Sequence, residues 1–232
     1  MIRAVGAALS VKIIAFSVFI CVKGFSMIKI KICGITNLDD ALAAAEAGAD
    51  AVGFNFYKKS PRYIEPAKAA EIVRRLPPFI APVAVIVNER EEKIRDIQFT
   101  TGIRVLQFQG DERPEFCERF ATQVIKVFQV KDKESLKQMA HYHVSAYLLD
   151  SYKEGMRGGT GTTFDWHLAV VAKTFGRIIL AGGLTPDNVA EAVKLVQPYG
   201  VDVASGVERE KGYKDHAAVK KFIAEARKAA RA

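Results

Sequence analysis

From Met27 to the C-terminus, eight short β-rich runs alternate with eight amphipathic helical stretches, and no long linker interrupts them. The strand candidates are Ile28–Ile32, Ala51–Asn55, Ala81–Val87, Arg104–Gln107, Val124–Gln129, Ala146–Leu149, Ile178–Ala181 and Val201–Ala204. The helical candidates between and after them are Asp39–Ala47, Ala67–Leu76, Glu89–Thr100, Pro114–Phe120, Lys133–His141, Trp166–Thr174, Pro186–Val196 and Asp215–Ala230. Helix punctuation supports the pattern. Thr185-Pro186 sets a capping hydroxyl before a first-turn proline, and Gly48 follows the first helix as a stop. Strict strand–helix alternation implies a parallel sheet with helical crossovers, and eight repeats ending on a helix is the count of a (β/α)₈ TIM barrel, an α/β fold of one domain. A doubly wound open sheet shares the alternation, but no dinucleotide-binding fingerprint follows the first strand, which favours the barrel.

Strand parity then places side chains. In a barrel, alternate residues of a strand face the outer helices and the others face the interior. In "IKIKICG", Ile28, Ile30 and Ile32 share the outward set, while Lys29, Lys31 and Cys33 point inward. Cys33 thus falls at the C-terminal mouth, where barrel enzymes keep their chemistry. By the same reading Asp202 points in between outward Val201 and Val203, and Gln107 and Gln109 point in while Leu106 and Phe108 point out. Asp150, at the end of "AYLLD", joins the mouth as a candidate acid or base. A lone cysteine is more often an inert small hydrophobe. The strand-end position, with Lys31 nearby to favour a thiolate, argues for a reactive one.

Composition sets the class. Half of the 232 residues are hydrophobic and about a quarter are charged, the balance of a soluble globular chain with enough sequence for a large core. The formal charge of +8 is spread among acidic residues and not gathered into basic runs interleaved with aromatics, so a nucleic-acid partner is not expected. Three cysteines without a CxxC spacing give neither a disulfide framework nor a thiolate metal site. The pair His141 and His143 reads as a solvated helix end, so no metal is expected. A reducing, cytoplasmic compartment fits this cysteine usage. Residues 11–22, "VKIIAFSVFICV", imitate the core of a signal peptide, but the small-x-small cleavage pattern near Lys23 to Ser26 is poor. Residues 1–26 are therefore read as an extension upstream of a barrel domain over 27–232, with no membrane association expected.

Two glycine stretches point to an anionic ligand. "LAGGLTPDN" (180–188) follows the seventh strand and "ASGVE" (204–208) follows the eighth. Glycines let backbone N–H groups approach an anion, helix N-termini favour negative charge, and these two loops are the common phosphate site of this fold. Gly182, Gly183, Ser205 and Gly206 are the expected phosphate-binding residues. A third run, "RGGTGTTFDW" (157–166), belongs to a long loop that either covers the site or merely connects.

The stretches "KICGITNLDDALAAAEAGADAVGFNFYKKSPRYI", "LLDSYKEGMRGGTGTTFDW", "LAGGLTPDNV" and "VDVASGVE…KGYKDHAAVKKFI" resemble, in order, phosphoribosylanthranilate isomerase of tryptophan biosynthesis. The resemblance runs from about Met27 to the C-terminus. It implies an Amadori rearrangement of N-(5'-phosphoribosyl)anthranilate to 1-(2-carboxyphenylamino)-1-deoxyribulose 5-phosphate, without metal or organic cofactor. It also implies Cys33 as general base, Asp150 as general acid, Arg62 as the contact to the anthranilate carboxylate and Asp202 as an inward substrate-holding residue. Acid–base division requires pKa values tuned apart, with Asp150 raised and Cys33 lowered, and a guanidinium suits bidentate carboxylate recognition. One departure stands out: where the family often reads "QLHGDE", this chain has "QFQGDE", with Gln109 at the histidine position. Two alternatives are weaker. The histidine-pathway Amadori isomerase pairs two aspartates, and a non-catalytic phosphometabolite-binding barrel needs no acid–base pair. The implied partner is the small-molecule substrate, and the chain is expected to act as a monomer or homodimer. A protein comprising Met27–Ala232 is expected to consume freshly made substrate rapidly, measured optically against an enzyme-free control, which would show residues 1–26 dispensable; a folded sample that gives no acceleration would point to a different phosphosugar substrate or to a binder.

Overall fold

Strands buried on both faces need helices or a packed interior on each side, and here the sheet closes on itself. The computed structural model describes residues 28–120, 122–151 and 164–231. Its strands are β1 (Lys29–Cys33), β2 (Ala51–Asn55), β3 (Ala81–Ile86), β4 (Val105–Phe108), β5 (Gln123–Val130), β6 (Ala146–Ser151), β7 (Ile178–Leu180) and β8 (Gly200–Val203). They run parallel in the order β1-β2-β3-β4-β5-β6-β7-β8 and close through β1 on β8, where Lys31 lies in register with Asp202. Closure excludes the open doubly wound sheet. The helices α1 (Leu38–Glu46), α2 (Pro66–Val73), α3 (Glu91–Thr101), α4 (Pro114–Cys117), α5 (Lys133–Lys137), α6 (Trp166–Ala172), α7 (Val189–Val196) and α8 (His216–Arg231) fill the crossovers and the C-terminus. None of the helices among the described residues is long and apolar enough to cross a membrane. The extension over 1–26 and the glycine run 157–163 lie outside the described residues.

The parity expected from sequence holds in both layers. Ile30, Ile32, Phe54, Phe108, Val201 and Val203 are buried in the apolar layer between strands and helices. A smaller cluster of Val83, Ile125, Val127, Ala146, Leu148, Ile179 and Ala181 fills the barrel interior. Towards the C-terminal ends of the strands the interior turns polar, with Lys31, Gln107, Asp150 and Asp202 all buried. An interior that is apolar in its lower part and polar at the mouth has packing rigidity below and chemistry above.

Two local expectations need correction, and one element is additional. The helix expected over Pro114–Phe120 is one turn, Pro114–Cys117, because Phe116 and Phe120 both fold back on Phe108 with ring centroids 5.8 and 5.4 Å from it. The helix expected from Pro186 begins at Val189. The Asn188 side chain accepts from the Thr185 backbone N–H at 2.8 Å and donates to the Gly183 carbonyl at 2.9 Å, so Thr185 and Pro186 belong to a turn tied across the preceding loop. A two-stranded antiparallel hairpin, β9 (Glu208–Glu210) and β10 (Tyr213–Lys214), follows β8 and was not expected, since strands of three and two residues carry no period to read.

The C-terminal helix seals the wall over β1: Phe222 is fully buried in the outer apolar layer. Phe222→Ala is expected to destabilise the fold by about 3–5 kcal/mol through lost burial and a residual cavity, read as a lower urea midpoint at unchanged slope.

Candidate active site

The C-terminal ends of the strands open into a cavity of about 510 Å³ whose lining includes Cys33, Gly34, Arg62, Gln107, Asp150 and Asp202. A recess of about 40 Å³ adjoins it, lined by Gly182, Gly183, Ser205 and Gly206, and it shares Asp150, Asp202 and Ala204 with the larger cavity. All eight residues singled out from sequence line these two adjoining spaces, although they come from the ends of three strands, β1, β6 and β8, and from the loops after β2, β7 and β8.

Asp150 sits at the end of β6, 5% exposed. Burial pushes its carboxyl up to about 6, as acid chemistry requires, against the Ser151 backbone N–H donated to it at 2.8 Å. The Asp202 charge adds to the rise. Gln109 donates to its other oxygen at 3.5 Å and accepts from Gln107 at 2.9 Å, so the residue at the position where the family often has histidine faces the candidate acid.

Cys33 ends β1 as a partly exposed free thiol. The expectation that its pKa is lowered is corrected: burial pushes the thiol up and outweighs the attraction of Lys31 and Lys214. Both ammonium groups still favour the thiolate over what burial alone would leave. Lys31, one inward position earlier, is 4% exposed and donates to Asp202 Oδ1 at 2.8 Å. Burial alone would lower the Lys31 ammonium, but pairing with Asp202 and Cys33 raises it above the ordinary lysine range.

The small recess is walled by backbone at its glycines. Gly182 takes φ +77° beneath Ser151 and Asp150, and a side chain there would collide with the Ser151 backbone N–H. A Cβ at Gly206 would run into the Leu184 carbonyl. Only backbone fits at these points, which leaves N–H groups free to approach an anion.

Arg62 reaches the cavity from the loop after β2. Its Nε and Nη2 each donate to an oxygen of Glu208 at 2.7 Å, a bidentate pair whose side chains are 13% and 5% exposed. Lys214 donates to the same carboxylate at 2.9 Å and is buried. Glu208 and Lys214 were not singled out from sequence. The available signal was a Glu and a Lys six residues apart around "KG", a turn dipeptide that folds the two side chains together across a hairpin.

A closed barrel that sets a thiol, a carboxyl of raised pKa and a glycine-lined anion recess around one cavity defines an enzyme that performs proton transfers on a small phosphorylated molecule. The family model described as N-(5'phosphoribosyl)anthranilate (PRA) isomerase matches residues 30–225, and the chain belongs to that family. An N-(5'-phosphoribosyl)anthranilate isomerase from Citrifermentans bemidjiense is 54% identical over 204 residues, 88% of this chain and 99% of that relative. The crystal structure of phosphoribosyl anthranilate isomerase from Thermotoga maritima superposes with a TM-score of 0.82 at 43% identity, covering 86% of this chain and 98% of that one. A phosphoribosyl anthranilate isomerase crystallised with reduced 1-(o-carboxyphenylamino)-1-deoxyribulose 5-phosphate superposes at 0.79 with 42% identity, again over 86% and 98%.

The raised pKa of Asp150 has a consequence for stability. The folded state holds this proton more tightly than the unfolded chain does, so the group adds no penalty below about pH 4 and destabilises progressively as pH rises through about 6. The full penalty is on the order of 2–3 kcal/mol for a shift of this size. Asp150→Asn, which carries no charge, is expected to gain stability relative to the wild type by roughly that amount between pH 4.5 and 7.5, followed by urea unfolding. A difference that shrinks as pH rises would mean that folding stabilises the carboxylate.

Proposed function

We propose that Cys33 and Asp150 carry the isomerisation of N-(5'-phosphoribosyl)anthranilate, the Amadori rearrangement of the family, with Asp150 as acid and Cys33 as base. The observation that carries this division is the arrangement of the two groups: a free thiol ending β1 and a buried carboxyl of pKa about 6 at the end of β6 line one cavity, with only β7 and β8 between them on one side of the barrel.

Each step follows from what the residues hold. Backbone N–H groups around Gly182, Gly183, Ser205 and Gly206 take the phosphate, and Arg62 takes the anthranilate carboxylate. A substrate fixed at both ends lies across the mouth with its ribose between acid and base. Asp150 gives its proton to the ring oxygen as the C–O bond breaks, and the anilino nitrogen lone pair fills in to form an iminium ion. The positive nitrogen acidifies the proton on the adjacent carbon, which Cys33 takes as its thiolate. The C–H electrons form the enolamine, and tautomerisation gives the ketone. One proton leaves Asp150 and one arrives at Cys33, so the product is an isomer of the substrate. The Lys31 ammonium, held by Asp202, lies beside the thiol and stabilises the thiolate that the second step needs. Asp202 holds Lys31 beside the thiol and lines the substrate cavity, while its own charge opposes the thiolate.

Cys33→Ala and Asp150→Asn are each expected to lower turnover of freshly made N-(5'-phosphoribosyl)anthranilate at least about a hundredfold, the usual cost of losing a general acid or base. Near-native turnover in a folded variant would remove that residue from its role.

A further inference from the structure

The Arg62–Glu208–Lys214 cluster is built more tightly than a carboxylate-binding arginine alone requires. The aliphatic part of Arg62 passes directly over Gly34, where φ is +77° and a Cβ would stand 2.5 Å from Arg62 Cδ. Its Nε and Nη2 are taken by Glu208, so two of five guanidinium N–H donors are spent and three remain for a ligand. Glu208 is itself fixed from below: Lys214 donates to Oε1 at 2.9 Å and to the Ala204 carbonyl at 3.1 Å, and the Gly212 backbone N–H donates to Oε1 at 3.3 Å. Burial alone would raise the Glu208 carboxyl, yet Arg62 and Lys214 hold it below the ordinary carboxylate range. Lys214 is 1% exposed, and burial lowers its ammonium against the pull of Glu208.

Charge balance points the same way. Arg62 and Lys214 share the single Glu208 carboxylate, so the cluster presents net positive charge at the edge of the cavity, which favours an anionic ligand group there. A planar carboxylate meets the remaining face of the guanidinium fork. An arginine on a loop otherwise samples many rotamers, and each one frozen on binding subtracts from affinity.

We infer that Glu208, held by Lys214 on the β9–β10 hairpin, is the positioning residue of the carboxylate end of the site, fixing the direction of the Arg62 fork before the ligand arrives. The inference rests on the assignment of Arg62 to the substrate carboxylate. The hairpin is then the device that gives the barrel selectivity for an aryl carboxylate over the bare arylamine.

Binding of two probes separates the possibilities: reduced 1-(o-carboxyphenylamino)-1-deoxyribulose 5-phosphate and its phenylamino counterpart without the carboxyl group, titrated calorimetrically. The wild type is expected to prefer the carboxylated probe at least tenfold, and Arg62→Ala to abolish the preference. Glu208→Gln is expected to reduce the preference at least fivefold while the affinity for the phenylamino probe stays within twofold. Glu208→Asp, which retracts the same charge by one methylene, is the second variant should the first fail to fold, and the same loss of preference is expected. A full preference in the folded Glu208 variant alongside its loss in Arg62→Ala overturns the role of Glu208 and leaves Arg62 in place. Equal weakening of both probes in the Glu208 variant also overturns it, because the residue then only supports the fold. A full preference retained in Arg62→Ala overturns the Arg62 assignment and the inference with it.

Discussion

The site depends on one buried ion pair across the seam where the barrel closes. Lys31 of β1 and Asp202 of β8 lie in register and meet at 2.8 Å, both nearly excluded from solvent. Two charges cost several kcal/mol each to take from water, and removing either partner leaves the other uncompensated at a cost of about 3–5 kcal/mol. The pair therefore constrains the register of the first and last strands. Through that register it fixes where Cys33 stands relative to the loops after β7 and β8. A slip of one residue would turn Cys33 and Asp202 outward onto the helices.

Around this pair the mouth is organised as a graded electrostatic field. Lys31 and Lys214 lie near the thiol, Lys31 also acts on Asp150, and Arg62 is paired but not saturated. Burial raises both the thiol and the Asp150 carboxyl, and the Asp202 charge adds to the rise at each, while Lys31 opposes it at both and Lys214 opposes it at the thiol as well. The apolar interior around Val83, Ile125, Leu148 and Ile179 supplies packed support beneath these groups.

Much of this was legible from residue order. Strand alternation gives the inward direction of Cys33, Asp150 and Asp202 because the side-chain period of a strand is fixed at two. The glycine loops mark where backbone packs closely at the mouth, because no other residue lets backbone come so close. Where the reading failed, non-local packing had decided. The helix at Pro114 stops after one turn because Phe116 and Phe120 are drawn to Phe108 on β4, and α7 starts late because Asn188 bonds back across its loop. The Cys33 pKa was misjudged because the charge of a neighbouring lysine is visible in sequence, whereas the depth at which the thiol is buried is not.

By itself, then, the sequence determined the barrel class, the face each strand side chain takes and the chemical types gathered at the mouth. These follow from local periodicity and backbone sterics, which act over a few residues. Only the tertiary structure decided which charges meet. Lys31 is separated from Asp202 by 171 positions and Arg62 from Glu208 by 146, and each pair forms because closure and a short hairpin bring distant strand ends together. Contacts of that span depend on the whole wall being complete, and no window of the chain encodes them.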